Sequence, residues 1–350
     1  MHRRALLALV SSLALMSFGV ATLRAETRVT GPIVHENLAI YLIHGESAAG
    51  AVPLTLDEAL AKRAVKVHET GNVNQLEVEN LSGEEIFVQS GDIVKGGQQD
   101  RVLSVSLLLP PKSGRIPIAS FCVEQGRWTA RGKEDVKTFA TAAAVVPSRE
   151  AKIAMKAPLP APEAAPRGDR MRPSVAAETG SRQQEVWAKV RKVQDGLSSN
   201  LGVTVNSAAS QSSLQLALEN EKLKDAQGTY LAALRAAGEK DNDVVGYAFA
   251  VNGKLNSAEI YPSNGLFRKM WPKLLQASVT EAIGQQNAGG EATPSAEAAL
   301  AFLDEARKGK ASENGLPAQV KLEMRDAEKS LYFETKRANG AWVHRSYLAK

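Results

Sequence analysis

Three short sequences predict a β-hairpin with polar ends: Gly96-Gly97-Gln98-Gln99-Asp100-Arg101, Pro110-Pro111-Lys112-Ser113-Gly114 and Cys122-Val123-Glu124-Gln125-Gly126-Arg127-Trp128. Two apolar-rich runs, 102–109 and 115–123, lie between the polar ends and join through the central sequence. Apolar runs on either side of a Pro- and Gly-containing turn are typical of antiparallel strands. With the turn centred near Ser113, we expect Arg101 to lie opposite Glu124.

The open end of this hairpin is the predicted ligand-binding site. Arginine side chains offer a fork of donors that fits phosphate or carboxylate, and an indole ring can stack on a base or a sugar. We therefore expect an anionic, nucleotide-like ligand at this end of the hairpin. The predicted ligand-binding residues are Gln98, Gln99, Arg101, Arg127 and Trp128.

Two carboxylates at the same end, Glu124 and Asp100, are the candidate catalytic residues. A hydrolase needs one carboxylate to activate water, and often another to protonate the leaving group or to hold a divalent ion. No metal signature such as His-Glu-x-x-His occurs, so no metal ligand is assigned and any cofactor is unknown. The alternative is an Arg101–Glu124 pair that only fixes the hairpin register, worth about 0.2–1 kcal/mol.

Cysteine and histidine offer no stronger site. Cys122 is the only cysteine, which excludes an internal disulfide. Strand alternation places it on the same face as Glu124, and a neighbouring carboxylate raises a thiol pKa, so we expect a buried core residue rather than a nucleophile. Four histidines are scattered without ligand spacing, and we expect them in surface or core packing: His35, His44, His68 and His344.

The N-terminus has the features of a secretory signal peptide. A basic start, Met1-His2-Arg3-Arg4, precedes an apolar stretch over 5–20 and small residues up to Ala25. We expect a signal peptide over 1–25 and a periplasmic or secreted protein, with an uncleaved anchor as the alternative. No later apolar run is long enough to cross a bilayer.

Charge argues against nucleic acid as a partner. The chain has 43 basic and 38 acidic residues, and three of the basic ones are arginines of the predicted signal peptide. Its removal leaves 40 basic residues and a net charge of +2. So small an excess does not indicate a nucleic-acid-binding surface.

Composition changes along the chain predict an α+β fold. Residues 26–147 read as a β-rich domain with an antiparallel, sandwich-like sheet, interrupted by a short helix that a Thr55–Glu58 capping box begins. Residues 148–182 are rich in Ala and Pro and read as a linker or loop. Residues 183–350 read as a helix-rich α+β part packed on the first, with strands around Asn252-Gly253.

Most of the chain resembles a bacterial family, the ADP-ribosylglycohydrolase and rhodanese-phosphatase superfamily associated protein domain. Weaker similarities follow at Val186-Trp187 and between Val245 and Leu274. The resemblance implies a genomic association with proteins that handle ADP-ribose and related nucleotides. It implies no particular reaction. The matching sequences are Leu56-Asp57-Glu58-Ala59, Val73-Asn74-Gln75-Leu76, Val78-Glu79-Asn80, Gly91-Asp92-Ile93-Val94-Lys95-Gly96-Gly97-Gln98-Gln99-Asp100-Arg101 and Cys122-Val123-Glu124-Gln125-Gly126-Arg127-Trp128.

We therefore expect an exported protein that binds a nucleotide-like or other anionic small molecule, such as an ADP-ribose derivative. Hydrolysis of that molecule is one version of this function, and whether the protein is an enzyme is left open. The alternative is a non-catalytic interaction or scaffold protein of the cell envelope, whose protein partner is unknown. Export makes a glycan or peptidoglycan fragment a further possible ligand.

Overall fold

The computed structural model describes residues 27–127, 129, 131, 136–137, 139–156, 175–286 and 290–350. The predicted signal peptide over 1–25 and the predicted ligand residue Trp128 lie outside these ranges. Within them, no helix combines the length and the apolar character that crossing a bilayer requires.

Strands and helices alternate irregularly along the described chain. The strands are β1 (Arg28–His35), β2 (Leu38–His44), β3 (Leu54–Thr55), β4 (Val65–Glu69), β5 (Gln75–Asn80), β6 (Ile86–Val88), β7 (Asp92–Gly96), β8 (Arg101–Leu103), β9 (Leu107–Leu109), β10 (Gly114–Cys122), β11 (Phe139–Val145), β12 (Val244–Val251), β13 (Lys254–Ile260), β14 (Lys310–Leu316), β15 (Val320–Asp326), β16 (Ser330–Arg337) and β17 (Trp342–Ala349). The helices are α1 (Leu56–Ala61), α2 (Arg149–Lys156), α3 (Val175–Leu201), α4 (Leu214–Leu218), α5 (Glu221–Leu234), α6 (Ala237–Lys240), α7 (Asn264–Gly284) and α8 (Ala296–Ala306).

Within the described residues, the strands form three sheets. The largest has eight strands in the order β1-β2-β12-β13-β17-β16-β15-β14, and its neighbours are all antiparallel. A six-stranded sheet has the order β11-β7-β8-β10-β5-β4, and a smaller one has the order β3-β6-β9. The predicted α+β class is therefore confirmed. The largest sheet takes strands from both halves of the chain, so the predicted boundary between the halves does not separate two sheets.

Helix α7 lies at the centre of the molecule and packs against α3, α5, β11 and β12. Its side chains are buried on most faces, which is typical of a helix that forms part of a core. Ser263 caps its N-terminus by accepting a hydrogen bond from the Leu266 amide. The fully buried Trp271 donates its indole N–H to the Arg235 carbonyl, 2.8 Å away.

Two local predictions match the backbone. Thr55 and Glu58 form the predicted capping box at the start of α1, each side chain accepting a hydrogen bond from the other's backbone amide. Asn252 and Gly253 both have positive φ angles, 52° and 78°, and they join β12 to β13. A pair of positive φ angles is what a tight two-residue hairpin requires.

The hairpin that carries the two polar sequences differs from the prediction in its register and its length. Arg101 lies opposite Cys122 rather than Glu124. The first run breaks at Ser104–Ser106, and β9 then leaves β10 to pair with β6. Hydrogen bonds at Ser90 explain the break, because its amide donates to Ser106 Oγ and its hydroxyl donates to the Ser104 carbonyl.

The segment predicted as a linker over 148–182 contains helical residues. It includes the whole of α2 and the beginning of α3, while residues 157–174 lie outside the described ranges. Ala151, Ala154 and Met155 share one face of α2 and are buried, and Ser148 Oγ accepts a hydrogen bond from the Ala151 amide. An N-terminal cap and a small apolar face thus stabilise α2. The Ala- and Pro-rich composition of the whole segment led us to predict a linker or loop instead.

We predict that Gly97→Ala lowers the free energy of unfolding by about 1–3 kcal/mol. Gly97 has a φ of +55°, and an added Cβ would collide with the buried ring of Phe139. Urea unfolding measures the change. The matched control is Gly83→Ala, because Gly83 is exposed with open space around it, and we expect a change within about 0.5 kcal/mol. Equal stability of both variants would contradict the prediction.

Candidate functional site

The two polar sequences come together as predicted, and their charges pair with each other. We call Asp100, Glu124, Arg127 and Arg131 the ion-pair cluster. Arg131 Nη1 lies 3.0 Å from Asp100 Oδ2 and 3.1 Å from Glu124 Oε1. Arg127 Nε lies 2.7 Å from Glu124 Oε2, and its Nη2 lies 3.6 Å from Asp100 Oδ1. Both carboxylates are fully buried, so two acids and two bases neutralise one another away from water.

Further hydrogen bonds close the cluster. Asp100 accepts from the Gly96 amide at 3.0 Å and from the Ser213 hydroxyl at 2.8 Å. Glu124 accepts from the Asp100 amide at 3.0 Å. Since Ser213 is also the N-cap of α4, the cluster joins two loops to the start of a helix.

Arg101 points elsewhere. Its side chain is fully buried, and Nη1 donates to the carbonyl and the side-chain oxygen of Gln99. Its nearest described carboxylate, Glu69, is 3.7 Å from Nη2. Gln99 donates from Nε2 to the Glu124 carbonyl, and the backbone N–H of Gln98 donates to Glu69. The side chains of Gln99 and Arg127 are therefore engaged with protein groups. Arg101 Nε and Nη2 form no hydrogen bond within the described chain.

The geometry of the ion-pair cluster favours a structural role. Its side chains are at most 9% exposed, and the contacts above occupy both carboxylates. The catalytic roles of Glu124 and Asp100 stay predictions, and they would require the arginines to move aside for a ligand.

Cys122 is buried, as predicted. Burial raises the pKa of its thiol to about 11, although the positive charge of Arg101 acts in the other direction. The sulfur lies 2.7 Å from the Glu124 carbonyl and donates a hydrogen bond to it. A thiol that stays protonated at neutral pH is a poor nucleophile.

A second polar site surrounds a cavity of about 100 Å³ between α2, the β8–β9 link and the strands β16 and β17. We call it the hydroxyl cavity. Its polar lining consists of five hydroxyl residues, one ammonium group and one imidazole: Ser90, Ser104, Ser106, Thr335, Ser346, Lys156 and His344.

The imidazole of His344 lies between a hydroxyl and a carboxylate. Its Nδ1 is 3.0 Å from Ser106 Oγ, and its Nε2 is 3.1 Å from Glu259 Oε2. Neither Nε2 nor Oε2 forms a hydrogen bond within the described chain, so this second contact is electrostatic. Edge-to-face packing against Phe87 and tilted packing against Tyr261 hold the ring.

Burial and neighbouring charges set the ionisation of this group. Burial lowers the pKa of His344, although Glu259 opposes the shift, so the imidazole is neutral at pH 7. Burial alone would raise the pKa of Glu259, but the contact with His344 and the positive charges of Lys152 and Lys156 hold it below its usual value. Glu259 is therefore a carboxylate even though it is 2% exposed.

Lys156 ends α2 at the rim of the cavity. Burial lowers the pKa of its ammonium group to about 8, partly offset by the charge of Glu259. Its Nζ lies 3.4 Å from Ser346 Oγ and 4.9 Å from the centre of the Phe333 ring. It makes no ion pair with a carboxylate of the described chain. A half-buried cation with no carboxylate at ion-pair distance is a binding feature for an anion.

Sequence reasoning missed this site. Ser106 and His344 are 238 residues apart, and Lys156 falls in the segment predicted as a linker. His344 was expected in surface or core packing, and it is indeed buried. No spacing rule connects these residues, since only the pairing of the strands brings them together.

A larger cavity of about 290 Å³ lies between α2, α3 and α7. It is lined by Arg149, Lys189 and Lys192, but both lysines pair with Glu150, at 3.3 Å and 2.7 Å. The lysines of this cavity contact a carboxylate, whereas Lys156 of the hydroxyl cavity does not. No grouping of three or more His, Cys, Asp or Glu suited to a metal ion occurs in the described part of the chain.

Comparison with protein families gives one match. The model of the ARG and Rhodanese-Phosphatase-superfamily-associated Protein domain matches residues 26–348. The chain belongs to this family. Comparisons with curated proteins and with solved structures found no match. The match to the associated-protein family covers both the ion-pair cluster and the hydroxyl cavity, and it assigns a role to neither.

We predict that Glu124→Gln lowers the free energy of unfolding by about 3 kcal/mol or more, because it leaves buried arginine charge without its carboxylate. Chemical denaturation measures the change. The control is Glu77→Gln, whose exposed partner Arg115 is 3.4 Å away, and we expect a change below about 1 kcal/mol. A Glu124→Gln variant as stable as the control would show that this carboxylate is free for catalysis.

Proposed function

We propose that this protein binds a small anionic molecule in the hydroxyl cavity, with Lys156 as the cation that recognises it. The observation that carries the proposal is the position of the Lys156 ammonium group, which lines the cavity without a carboxylate partner in the described chain. Glu259 acts on this ammonium group only from beyond ion-pair distance, so an anion in the cavity would be its direct counter-charge. Ser346, 3.4 Å from Nζ, offers a hydroxyl beside it.

The size of the cavity limits the ligand. A cavity of about 100 Å³ has room for a group the size of a carboxylate or a phosphate. We therefore propose that a larger ligand, such as an ADP-ribose derivative, enters by its anionic end.

Partial burial strengthens the proposed contact. An ion pair in a region of low polarity is stronger than one in bulk water, and a hydroxyl donor beside the anion replaces part of its hydration. Ser346 Oγ accepts a hydrogen bond from Lys156, so its own proton can be donated to an anion. The hydroxyls of Ser90, Ser104 and Thr335 donate to backbone carbonyls instead. Lys156 and Ser346 are therefore the two groups that would hold the anion.

We also propose export to the periplasm or the medium, on the basis of the signal-peptide sequence over 1–25. Fractionation of cells that express the full chain, followed by N-terminal sequencing of the product, tests it. Mature protein that begins near residue 26 is the expected result, and full-length protein retained in the cytoplasm would contradict it.

We predict that Lys156→Met abolishes stabilisation by small anions. A thermal-shift panel of acetate, sulfate, phosphate, ribose 5-phosphate and ADP-ribose measures the effect, since a ligand that binds only the folded state raises the unfolding temperature. The matched control is Lys192→Met, because Lys192 is a lysine of the neighbouring helix α3 whose side chain is 69% exposed.

Each outcome of this panel has a distinct reading. A shift retained by Lys192→Met and lost in Lys156→Met supports the proposal. A shift that survives in Lys156→Met and disappears in Arg127→Gln would place the anion at the ion-pair cluster instead. No shift with any compound would overturn the proposal and favour the interaction protein.

We predict that sulfate affinity falls as the pH rises through about 8, because Lys156 loses its proton there. Titration calorimetry between pH 6 and 9.5 measures it, and sulfate keeps a constant charge over this range. The other charged groups that face Lys156 are Glu259, Lys152 and His344. Burial holds the pKa of His344 below its usual value, so its titration lies at lower pH. Affinity that is independent of pH would contradict the assignment.

A further inference from the structure

We propose that Ser106, His344 and Glu259 form a nucleophile, base and orienting carboxylate that hydrolyse short-chain carboxylic esters in the hydroxyl cavity. The inference rests on the proposed function, because the carboxylate product is a small anion of the kind that Lys156 would bind. It adds a reaction, a nucleophile and a substrate class to that binding site.

The first element is the contact between Ser106 and His344. Ser106 Oγ lies 3.0 Å from Nδ1, within the range that a nucleophile and its base require. Both residues line the cavity, so the hydroxyl is next to the space that a substrate would occupy. A serine hydroxyl needs such a base because its own pKa is too high for reaction at neutral pH.

The second element is the direction of that hydrogen bond. The Ser90 amide donates to Ser106 Oγ at 2.9 Å, which occupies one acceptor position of the oxygen. The hydroxyl proton remains available to donate to Nδ1. The same amide would stabilise negative charge on Oγ when the proton leaves.

The third element is the carboxylate on the other side of the ring. Glu259 Oε2 is 3.1 Å from Nε2, and its negative charge favours the tautomer with its proton on Nε2, which leaves Nδ1 as the acceptor. Lys152 Nζ, 3.7 Å from Glu259 Oε1, helps to keep this acid ionised. A negative charge beside Nε2 then stabilises the imidazolium that forms when Nδ1 takes the serine proton.

The reaction consumes an ester and one water molecule. Ser106 Oγ bonds to the acyl carbon while its proton moves to Nδ1, and the ester C–O bond then breaks as the alcohol takes that proton. Water next attacks the acyl carbon and gives a proton to Nδ1. The bond from Oγ to the acyl carbon breaks, Oγ regains the proton and the carboxylic acid leaves. An acyl group of two or three carbons fits the cavity volume of about 100 Å³.

The competing explanation is a polar network that only ties β9 to β17. A structural network would tolerate loss of the Ser106 hydroxyl without any change in chemistry. Reactivity of Oγ itself separates the two explanations.

The test uses two small probes on the full chain: p-nitrophenyl acetate as substrate and methanesulfonyl fluoride as a reagent that sulfonylates nucleophilic serines. We expect a sulfonyl adduct on Ser106 by peptide mass mapping. We expect Ser106→Ala to lower the rate of acetate ester hydrolysis by at least about 100-fold. The matched control is Ser120→Ala, since Ser120 is a buried serine outside the cavity lining.

The base is tested separately. The His344→Gln variant should lose both the adduct and the hydrolysis, and the wild-type rate should rise with pH through a pKa below the usual value for histidine. The charged groups facing His344 are Glu259, Lys152 and Lys156. Circular dichroism of each variant shows whether it folds. If His344→Gln does not fold, the adduct and the Ser106→Ala rate still decide the question.

The outcomes separate this inference from the binding proposal. Sulfate binding with no adduct on Ser106, and with unchanged hydrolysis in Ser106→Ala, would overturn the hydrolase and leave anion binding intact. An adduct on Ser106 in a protein that binds no anion would overturn the binding proposal alone. An adduct on Ser106 together with sulfate binding that Lys156→Met abolishes supports both.

Discussion

The burial of Glu259 is the constraint on which the architecture around the hydroxyl cavity depends. A carboxylate that is 2% exposed destabilises the fold by several kcal/mol unless cations or donors surround it. Here the partners come from two other elements, Lys152 from α2 and His344 from β17. Pairing with Lys152 docks α2 against the sheet, and the C-terminal residue of that helix, Lys156, then reaches the cavity rim. One buried charge thereby positions both the imidazole and the ammonium group.

The ion-pair cluster and the hydroxyl cavity lie at opposite ends of the same short strand. Strand β8 begins at Arg101, next to Asp100 of the cluster, and the link that follows its end carries Ser106. The ion pairs and hydrogen bonds of Asp100 hold the start of β8 in place, and the hydrogen bonds of Ser90 hold its end. The two polar sequences therefore hold in place a strand whose far end carries the proposed nucleophile. In this account the charged residues of the ion-pair cluster support the fold, and Ser106, which no sequence motif marked, carries the proposed chemistry.

Features that depend on neighbouring residues could be predicted from the sequence. The Thr55–Glu58 capping box and the Asn252-Gly253 turn are local, and each formed as expected. The register of the Arg101 strand could not be predicted, because the bonds from Ser90 that shorten it come from outside the hairpin. The contact between Ser106 and His344 was equally inaccessible, since a sequence separation of 238 residues leaves no spacing signal. The sequence correctly predicted that Asp100, Glu124 and Arg127 lie together, but not that Arg101 points away from them. The second arginine of the cluster, Arg131, lies beyond both sequences.

The most direct test of the account is the protonation state of His344, measured by nitrogen NMR on protein labelled with ¹⁵N at histidine, with His344→Gln for assignment. The account predicts a neutral ring at pH 7 with its proton on Nε2, an unprotonated Nδ1 towards Ser106 and a pKa below the usual value for histidine. An imidazolium at pH 7, or a neutral ring with its proton on Nδ1, would contradict it.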